Sequence, residues 1–150
     1  MILIINKKDP VVLVCVTNQR DCVRLIEAGI KIAGNIENSS VCVFSVRPQN
    51  AAGQELGEAL EFLRQQAISN NADMMIAFDN DAVSATAAYV KELNAIQIVT
   101  GIAGNGTSGF IDTLRNKIPD TIISMVSKDG MVHNLYPENY CPYENPVRTI

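Results

Sequence analysis

Residues 11–16 read VVLVCV, and this unbroken apolar run decides the class of fold. A strand that carries apolar side chains on both faces is typical of a parallel sheet covered by helices on each side. The apolar residues that follow recur at steps of three, four and three, which places them on one face of a helix: Val23, Ile26, Ile30 and Ala33. Residues 11–33 therefore predict a strand followed by a helix, the repeating unit of an α/β domain.

The same alternation continues as far as residue 126. Apolar runs predict four more strands, at residues 41–46, 74–78, 96–100 and 121–126. Helical patterns between them predict helices at residues 56–67, 82–93 and 110–118. Because crossovers within one parallel sheet are right-handed, this order predicts a doubly wound, three-layer α/β/α sandwich around a five-stranded parallel sheet.

The two ends of the chain lie outside that pattern. Residues 1–5 (MILII) predict an extra N-terminal strand, followed by a turn at residues 6–10. Residues 131–150 contain three prolines and three of the four tyrosines, so we expect a C-terminal tail without long regular structure. Such a tail either drapes over its own domain or serves as a contact arm for a partner. The 150 residues are interpreted as one domain with its core at residues 11–126.

Composition narrows the classes of function. The chain is 47% hydrophobic and 19% charged, with a net charge of −4, as expected of a globular domain. Its 12 basic residues are scattered, which argues against a nucleic-acid surface. No apolar segment reaches the length of a membrane span, and the N-terminus lacks the features of a signal peptide. These observations indicate a cytoplasmic protein that does not enter the membrane.

Catalytic and metal-binding side chains are scarce. The four cysteines, Cys15, Cys22, Cys42 and Cys141, have no CxxC spacing, and two of them lie in apolar runs. We interpret them as structural thiols. With His133 as the only histidine, a histidine-rich metal site or an ordinary serine–histidine triad has too few side chains. The sequence therefore predicts no catalytic residue and no metal site.

A glycine-rich segment is the strongest functional signal. Residues 101–109 read GIAGNGTSG, between a predicted strand and a predicted helix. Glycines allow the backbone to approach phosphate oxygens, and the start of the next helix offers free N–H groups. The alternative is a tight turn in which Thr107 or Ser108 only caps the helix. The segment matches neither the Walker A motif nor GxGxxG after a first strand.

Residues 72–101, with residues 110–126 behind them, resemble universal stress protein domains. The sequence is most similar in style to the domain within Kdp-type potassium sensor kinases, and the resemblance covers about residues 11–126. It implies an adenine nucleotide α-hydrolase-like fold with strand order 3-2-1-4-5. Strands one and four are then neighbours, so Thr17 and Asn18 would meet the glycine-rich segment at the point where ligands bind open α/β sheets.

The resemblance also implies a degenerate nucleotide site. ATP-binding members carry an aspartate after strand one, where this chain has Thr17. Their Gly-x-x-Gly is present as Gly101 and Gly104, but the Gly-Ser/Thr that follows nine residues later is replaced by Ser108-Gly109, about six residues early. The cyclic-dinucleotide motif of some sensor kinases is not matched either. The candidate ligand-binding residues are Thr17, Asn18, Gly101, Gly104, Asn105, Gly106, Thr107 and Ser108.

The leading hypothesis is a non-catalytic stress-response or regulatory module. The resemblance implies a homodimer paired through the fifth strand, with a sensor kinase or another protein as a further candidate partner. The alternative is a functional nucleotide-binding protein, with ATP or AMP as ligand and slow hydrolysis. Asp79, Asp81 and Asp112 are the available acids, although we favour capping or surface roles for them. A transferase or hydrolase of the wider α-hydrolase group is disfavoured because the glycine-rich segment contains no basic residue.

Overall fold

The computed structural model describes residues 9–16, 19–102 and 109–138. The strands are β1 Val11–Cys15, β2 Ser40–Arg47, β3 Asp73–Phe78, β4 Ala95–Gly101, β5 Ile122–Val126 and β6 Val132–Leu135. The helices are α1 Gln19–Ala33, α2 Gln54–Ser69, α3 Ala82–Leu93 and α4 Gly109–Lys117. Strands and helices alternate from β1 to β5, as the apolar runs predicted.

The strands form one sheet in the order β3-β2-β1-β4-β5-β6. The first five are parallel to one another in the predicted order, with β1 between β2 and β4. The prediction of five strands was wrong by one. Val132–Leu135, in the segment predicted to be a tail, forms β6 and pairs antiparallel with β5. The α/β/α class of fold is confirmed.

Two apolar layers lie on opposite faces of the sheet. On one face, which we call the α1/α2 face, residues of β1 and β2 pack against Leu25, Ile26 and Leu63. On the other, the α3/α4 face, Leu13 and Phe44 pack with residues of α3 and α4. Because β1 is covered on both sides, Val12, Leu13 and Val14 are all completely buried. This explains why the unbroken apolar run was a reliable sign of the central strand.

A glycine in α1 allows the helix to approach β1 closely. A Cβ atom built on Gly29 would lie 2.5 Å from Cγ2 of Val14, closer than two carbon atoms can come without a shift. The same atom would lie 3.8 Å from Cγ1 of Val41. The missing side chain at Gly29 therefore sets the distance between α1 and the centre of the sheet.

Strand β6 is held by side chains as well as by the backbone ladder. The Gln97 amide donates to Oγ of the fully buried Ser124 at 2.8 Å. Ser124 donates in turn to Oδ1 of Asn134 at 2.6 Å, and the Asn134 amide donates to the Tyr136 hydroxyl at 3.2 Å. This chain of hydrogen bonds crosses β4, β5 and β6 and sets the register of the last strand. Because β6 occupies the outer edge of β5, that edge is not open to a second chain.

The predicted N-terminal strand at residues 1–5 and the end of the predicted tail, residues 139–150, lie outside the described residues. None of the helices in the described ranges combines the length and apolar character that a membrane crossing requires.

Candidate functional site

The site is best located from the carboxyl edge of the parallel sheet. Strands β1 and β4 are neighbours, and their carboxyl ends lie at the same edge. Helix α1 leaves β1 toward the α1/α2 face, since Cys22, Leu25 and Ile26 pack there. Helix α4 packs through Leu114 on the other face. The chain therefore diverges between β1 and β4, which is the position where open α/β sheets bind ligands.

Gly101 is the one predicted site residue that the structure describes. It is the last residue of β4 and pairs with Val126 of β5. A Cβ atom at this position would lie 3.7 Å from Nη2 of Arg24 and 3.9 Å from the methyl groups of Leu25, all in α1. Gly101 thus lies at the predicted divergence point, beneath α1. The remaining predicted residues lie outside the described part of the chain: Thr17, Asn18, Gly104, Asn105, Gly106, Thr107 and Ser108.

Two arginines at this edge were missed by sequence reasoning. Arg24 extends from α1 to the end of β4, as the distance to Gly101 shows. Arg47 is the last residue of β2, the strand next to β1 on the side away from β4. Neither arginine lies in the glycine-rich segment, which contains no basic residue. Arg47 could have been found, because a residue that ends a predicted parallel strand must lie at the carboxyl edge.

The acids at this edge are engaged in local structure. Asp81 is the N-cap of α3: its carboxylate accepts from the Ser84 N–H at 3.1 Å and from the Ser84 hydroxyl at 2.8 Å. These hydrogen bonds hold the pKa of Asp81 below its usual value. Asp79 accepts from the Asp81 N–H at 2.8 Å, and Asp112 lies in the first turn of α4. The preference for capping is thus confirmed for Asp81 by direct geometry.

The buried cysteines are held in the thiol form. Burial, with a smaller contribution from Cys42, raises the pKa of Cys15 to about 12. Burial, with a smaller contribution from Asp73, raises the pKa of Cys42 to about 11. Both side chains pack in the apolar layer on the α3/α4 face, as expected of structural thiols. His133 lies on the exposed strand β6, opposite Met125. Within the described ranges, no three His, Cys, Asp or Glu side chains are grouped so that they could hold a metal ion.

Comparison with solved structures identifies the fold. A universal stress protein in complex with cAMP is 17% identical and superposes with a TM-score of 0.58 over 81% of this chain and 98% of its own. A universal stress protein from Archaeoglobus fulgidus is 15% identical, with a TM-score of 0.56 over 83% of this chain and 93% of its own. No protein-family model and no curated protein matches the sequence. The chain therefore has the fold of the universal stress proteins.

Proposed function

We propose that this chain is a non-catalytic regulatory module of the universal stress protein type, and that it binds a nucleotide phosphate between β1 and β4. One observation carries the proposal: Arg24 brings positive charge to Gly101, the residue where β4 ends and the glycine-rich segment begins. Positive charge and free backbone N–H groups are what a phosphate group needs at such an edge. A solved neighbour with this fold, 17% identical to this chain, is in complex with cAMP, which supports a nucleotide as the ligand.

The short glycine-rich segment supports a small phosphate ligand. The spacing of Gly101 and Gly104 is that of the first half of the family motif, but the second half follows about six residues early. Less backbone is then available to surround a triphosphate. We therefore expect a monophosphate or a cyclic monophosphate to bind more tightly than ATP.

The position of the acids supports a non-catalytic role. The residue that activates water in a hydrolase is most often a histidine or a carboxylate that is free to accept the proton. Asp79 and Asp81, which follow β3, instead accept hydrogen bonds that shape the start of α3. We therefore expect bound nucleotide to be released unchanged.

Binding and hydrolysis can be tested separately. Thermal unfolding would be measured with cAMP, AMP and ATP at about 100 times the dissociation constant, where binding adds about 2.7 kcal/mol to the free energy of unfolding. For a chain of this size the melting temperature should rise by roughly 5–10 °C. Phosphate release from ATP would be followed in the same preparations. Binding without release supports the proposal, whereas release that depends on the protein favours the nucleotide-hydrolysing alternative. The absence of any shift would refute nucleotide binding.

Substitution of Gly101 connects binding to the site. A Cβ atom at this position has only ordinary contacts, so Gly101→Ala should fold normally. The added methyl group would lie where the backbone must approach the phosphate, so the nucleotide-induced shift should fall by at least half. Gly57→Ala, on an open surface of α2, is the matched control and should leave the shift unchanged. An undiminished shift in Gly101→Ala would place the ligand elsewhere.

We also propose that the module forms a homodimer through the edge of β6. Within the described residues, β6 pairs with β5 alone, and the apolar side chains of Met131, Val132 and Tyr136 are exposed around it. Exposed strand edges of this kind readily pair with another chain. Light scattering should give about twice the mass of 16.3 kDa, and Val132→Lys should reduce it to that of one chain. A single-chain mass for the unsubstituted protein would refute the dimer and favour a different partner, such as a sensor kinase.

A cytoplasmic location is part of the same proposal. Cys15 and Cys42 are buried and free, which suits a reducing compartment. A fluorescent fusion should distribute with a cytoplasmic marker, and enrichment in an extracellular fraction would contradict the assignment.

A further inference from the structure

Ser45 and Arg47 lie on one face at the carboxyl end of β2. They are two residues apart on a strand, so their side chains leave the same face of the sheet. Val41 and Val43 have the same parity and pack with α1 and α2. Ser45 and Arg47 therefore project to the α1/α2 face, the face on which Arg24 approaches Gly101.

The polar atoms of this pair are buried without partners. Ser45 is 1% exposed, and its hydroxyl has no hydrogen-bond partner among the described residues. Nε and Nη2 of Arg47 are likewise shielded from solvent and, within the described ranges, unpartnered. A buried donor without an acceptor destabilises the folded state, and a buried cationic group does so more strongly. Three such donors on one face of β2 lack an acceptor among the described residues, and a bound ligand would supply one.

The end of β2 is held in place by its neighbour. The Asp79 N–H donates to the Arg47 carbonyl at 2.8 Å, and the Gln49 N–H donates to Oδ1 of Asn80 at 3.0 Å. Phe78 of β3 lies opposite Arg47 in the parallel register and is 48% exposed. Arg47 itself is only half-buried, so part of its side chain is exposed at the carboxyl edge.

We propose that Ser45 and Arg47 form a subsite that binds, from the β2 side of β1, the same phosphate group that Arg24 and Gly101 approach from the β4 side. Nε and Nη2 lie on the same side of the guanidinium group and can donate two parallel hydrogen bonds to two phosphate oxygens, as arginine does in bidentate pairs. The Ser45 hydroxyl can donate a third. The inference rests on the proposed function for the identity of the ligand as a nucleotide, but the subsite can also be tested with inorganic phosphate.

The test compares affinity with stability in matched variants. Isothermal titration with AMP, cAMP, adenosine and inorganic phosphate would be combined with thermal unfolding of the ligand-free proteins. In Arg47→Met we expect the affinity for AMP and cAMP to fall about 10- to 100-fold, because two charge-assisted hydrogen bonds are lost. Adenosine should bind as before. The melting temperature of the ligand-free variant should stay the same or rise, because an uncompensated buried charge is removed.

A control and a second variant keep the result decisive. Arg64→Met removes a charge from the exposed surface of α2, where Arg64 pairs with Glu61, and should change neither quantity. If Arg47→Met does not fold, Arg47→Lys decides, since it keeps the charge and loses the parallel pair of donors. A 3- to 10-fold loss of phosphate affinity at an unchanged melting temperature would then support the subsite.

The outcomes separate the subsite from the proposed function. If nucleotide binds equally well to the folded Arg47 variant and to the unsubstituted protein, the subsite is overturned and the proposed function stands. Inorganic phosphate that binds through Arg47 while no nucleotide binds supports the subsite and overturns the proposed function. If neither phosphate nor nucleotide binds the unsubstituted protein, both are overturned.

Discussion

The contact between α1 and β1 makes a quantitative prediction about Gly29. In Gly29→Ala the new Cβ would lie 2.5 Å from Cγ2 of Val14, about 1 Å closer than the usual contact distance. Val14 is completely buried, and a β-branched side chain has little freedom to rotate away. The helix must therefore move outward from the sheet, or Val14 must leave its preferred rotamer.

The magnitude follows from two opposing effects. Overpacking a buried site of this kind costs about 1–3 kcal/mol of the free energy of unfolding. Alanine in place of glycine within a helix recovers about 1 kcal/mol. Gly57 in α2 is also helical but has no atom within 4 Å of its Cβ position, so Gly57→Ala carries only the favourable effect. The difference in the free energy of unfolding between Gly29→Ala and Gly57→Ala cancels the helix preference of alanine. It should therefore equal the packing cost at residue 29, about 1–3 kcal/mol.

Urea unfolding followed by circular dichroism would measure this difference, with Gly29→Ala the less stable variant. Thermal unfolding should show the same order, with a separation of about 2–4 °C per kcal/mol. The double variant Gly29→Ala/Val14→Ala tests whether this contact is the cause. Because the methyl group at residue 29 then enters the space left by Cγ2 of Val14, the double variant should lose less stability than the sum of the two single losses. Equal stability of Gly29→Ala and Gly57→Ala would refute the close-approach argument.

Three further predictions concern hydrogen bonds and ionisation. Ser124→Ala interrupts the chain of hydrogen bonds that holds β6, and urea unfolding should show a free energy of unfolding lower by about 1–3 kcal/mol. Amide hydrogen exchange should speed up more in β6 than in β1. An equal increase in both strands would contradict this role of Ser124. Asp81→Ala removes the N-cap of α3 and should lower the melting temperature at pH 7. The pKa of Asp81 is lowered in the folded state, so Asp81 stabilises the fold fully above its unfolded pKa near 4. This stabilisation is lost as the pH falls through the folded pKa. The melting temperatures of Asp81→Ala and the unsubstituted protein should therefore converge in acid. Cys15 and Cys42 have pKa values of about 12 and about 11, so both should resist thiol reagents at pH 8 in the folded protein. The free energy of unfolding should fall as the pH rises above about 9, because there the thiols ionise in the unfolded chain only. Rapid labelling of both thiols at pH 8 in the native state would contradict their burial.

The central strands and the helices could be predicted because their side-chain patterns follow from burial. Residues 11–16 are apolar throughout since β1 is covered on both faces, and each predicted strand from β1 to β5 begins and ends within one residue of its observed bounds. The helix at residues 82–93 was predicted from its alanine-rich stretch, and residues 79–81 offered several N-cap candidates, of which the structure selects Asp81.

Strand β6 could not be predicted in the same way. Its four residues, VHNL, are largely exposed and show no clear alternation. It is a strand because the edge of β5 offers a hydrogen-bond ladder and because Ser124 binds the side chain of Asn134. Short edge strands depend on their neighbours more than on their own residue preferences.

The candidate site was predicted only in part, because some of its residues are brought to it by the tertiary structure. The sequence placed Gly101 at the end of a strand, and the structure places it there. It did not bring Arg24 and Arg47 to the same edge, because they are distant in the chain and belong to a helix and a different strand. Their positions at that edge depend on the order of the strands and on the distance between α1 and the sheet.

The sequence by itself determined that this chain forms a parallel α/β sheet with helices on both faces, since apolar runs and helical periods record burial residue by residue. Only the tertiary structure decided that β6 closes the outer edge of β5 and that α1 lies close enough to β1 to require Gly29. It also decided that the Ser45 hydroxyl and two nitrogens of Arg47 are buried with no partner among the described residues. These three features depend on atoms far apart in the chain. Distances between such atoms are set by packing, which the local pattern of residues does not record.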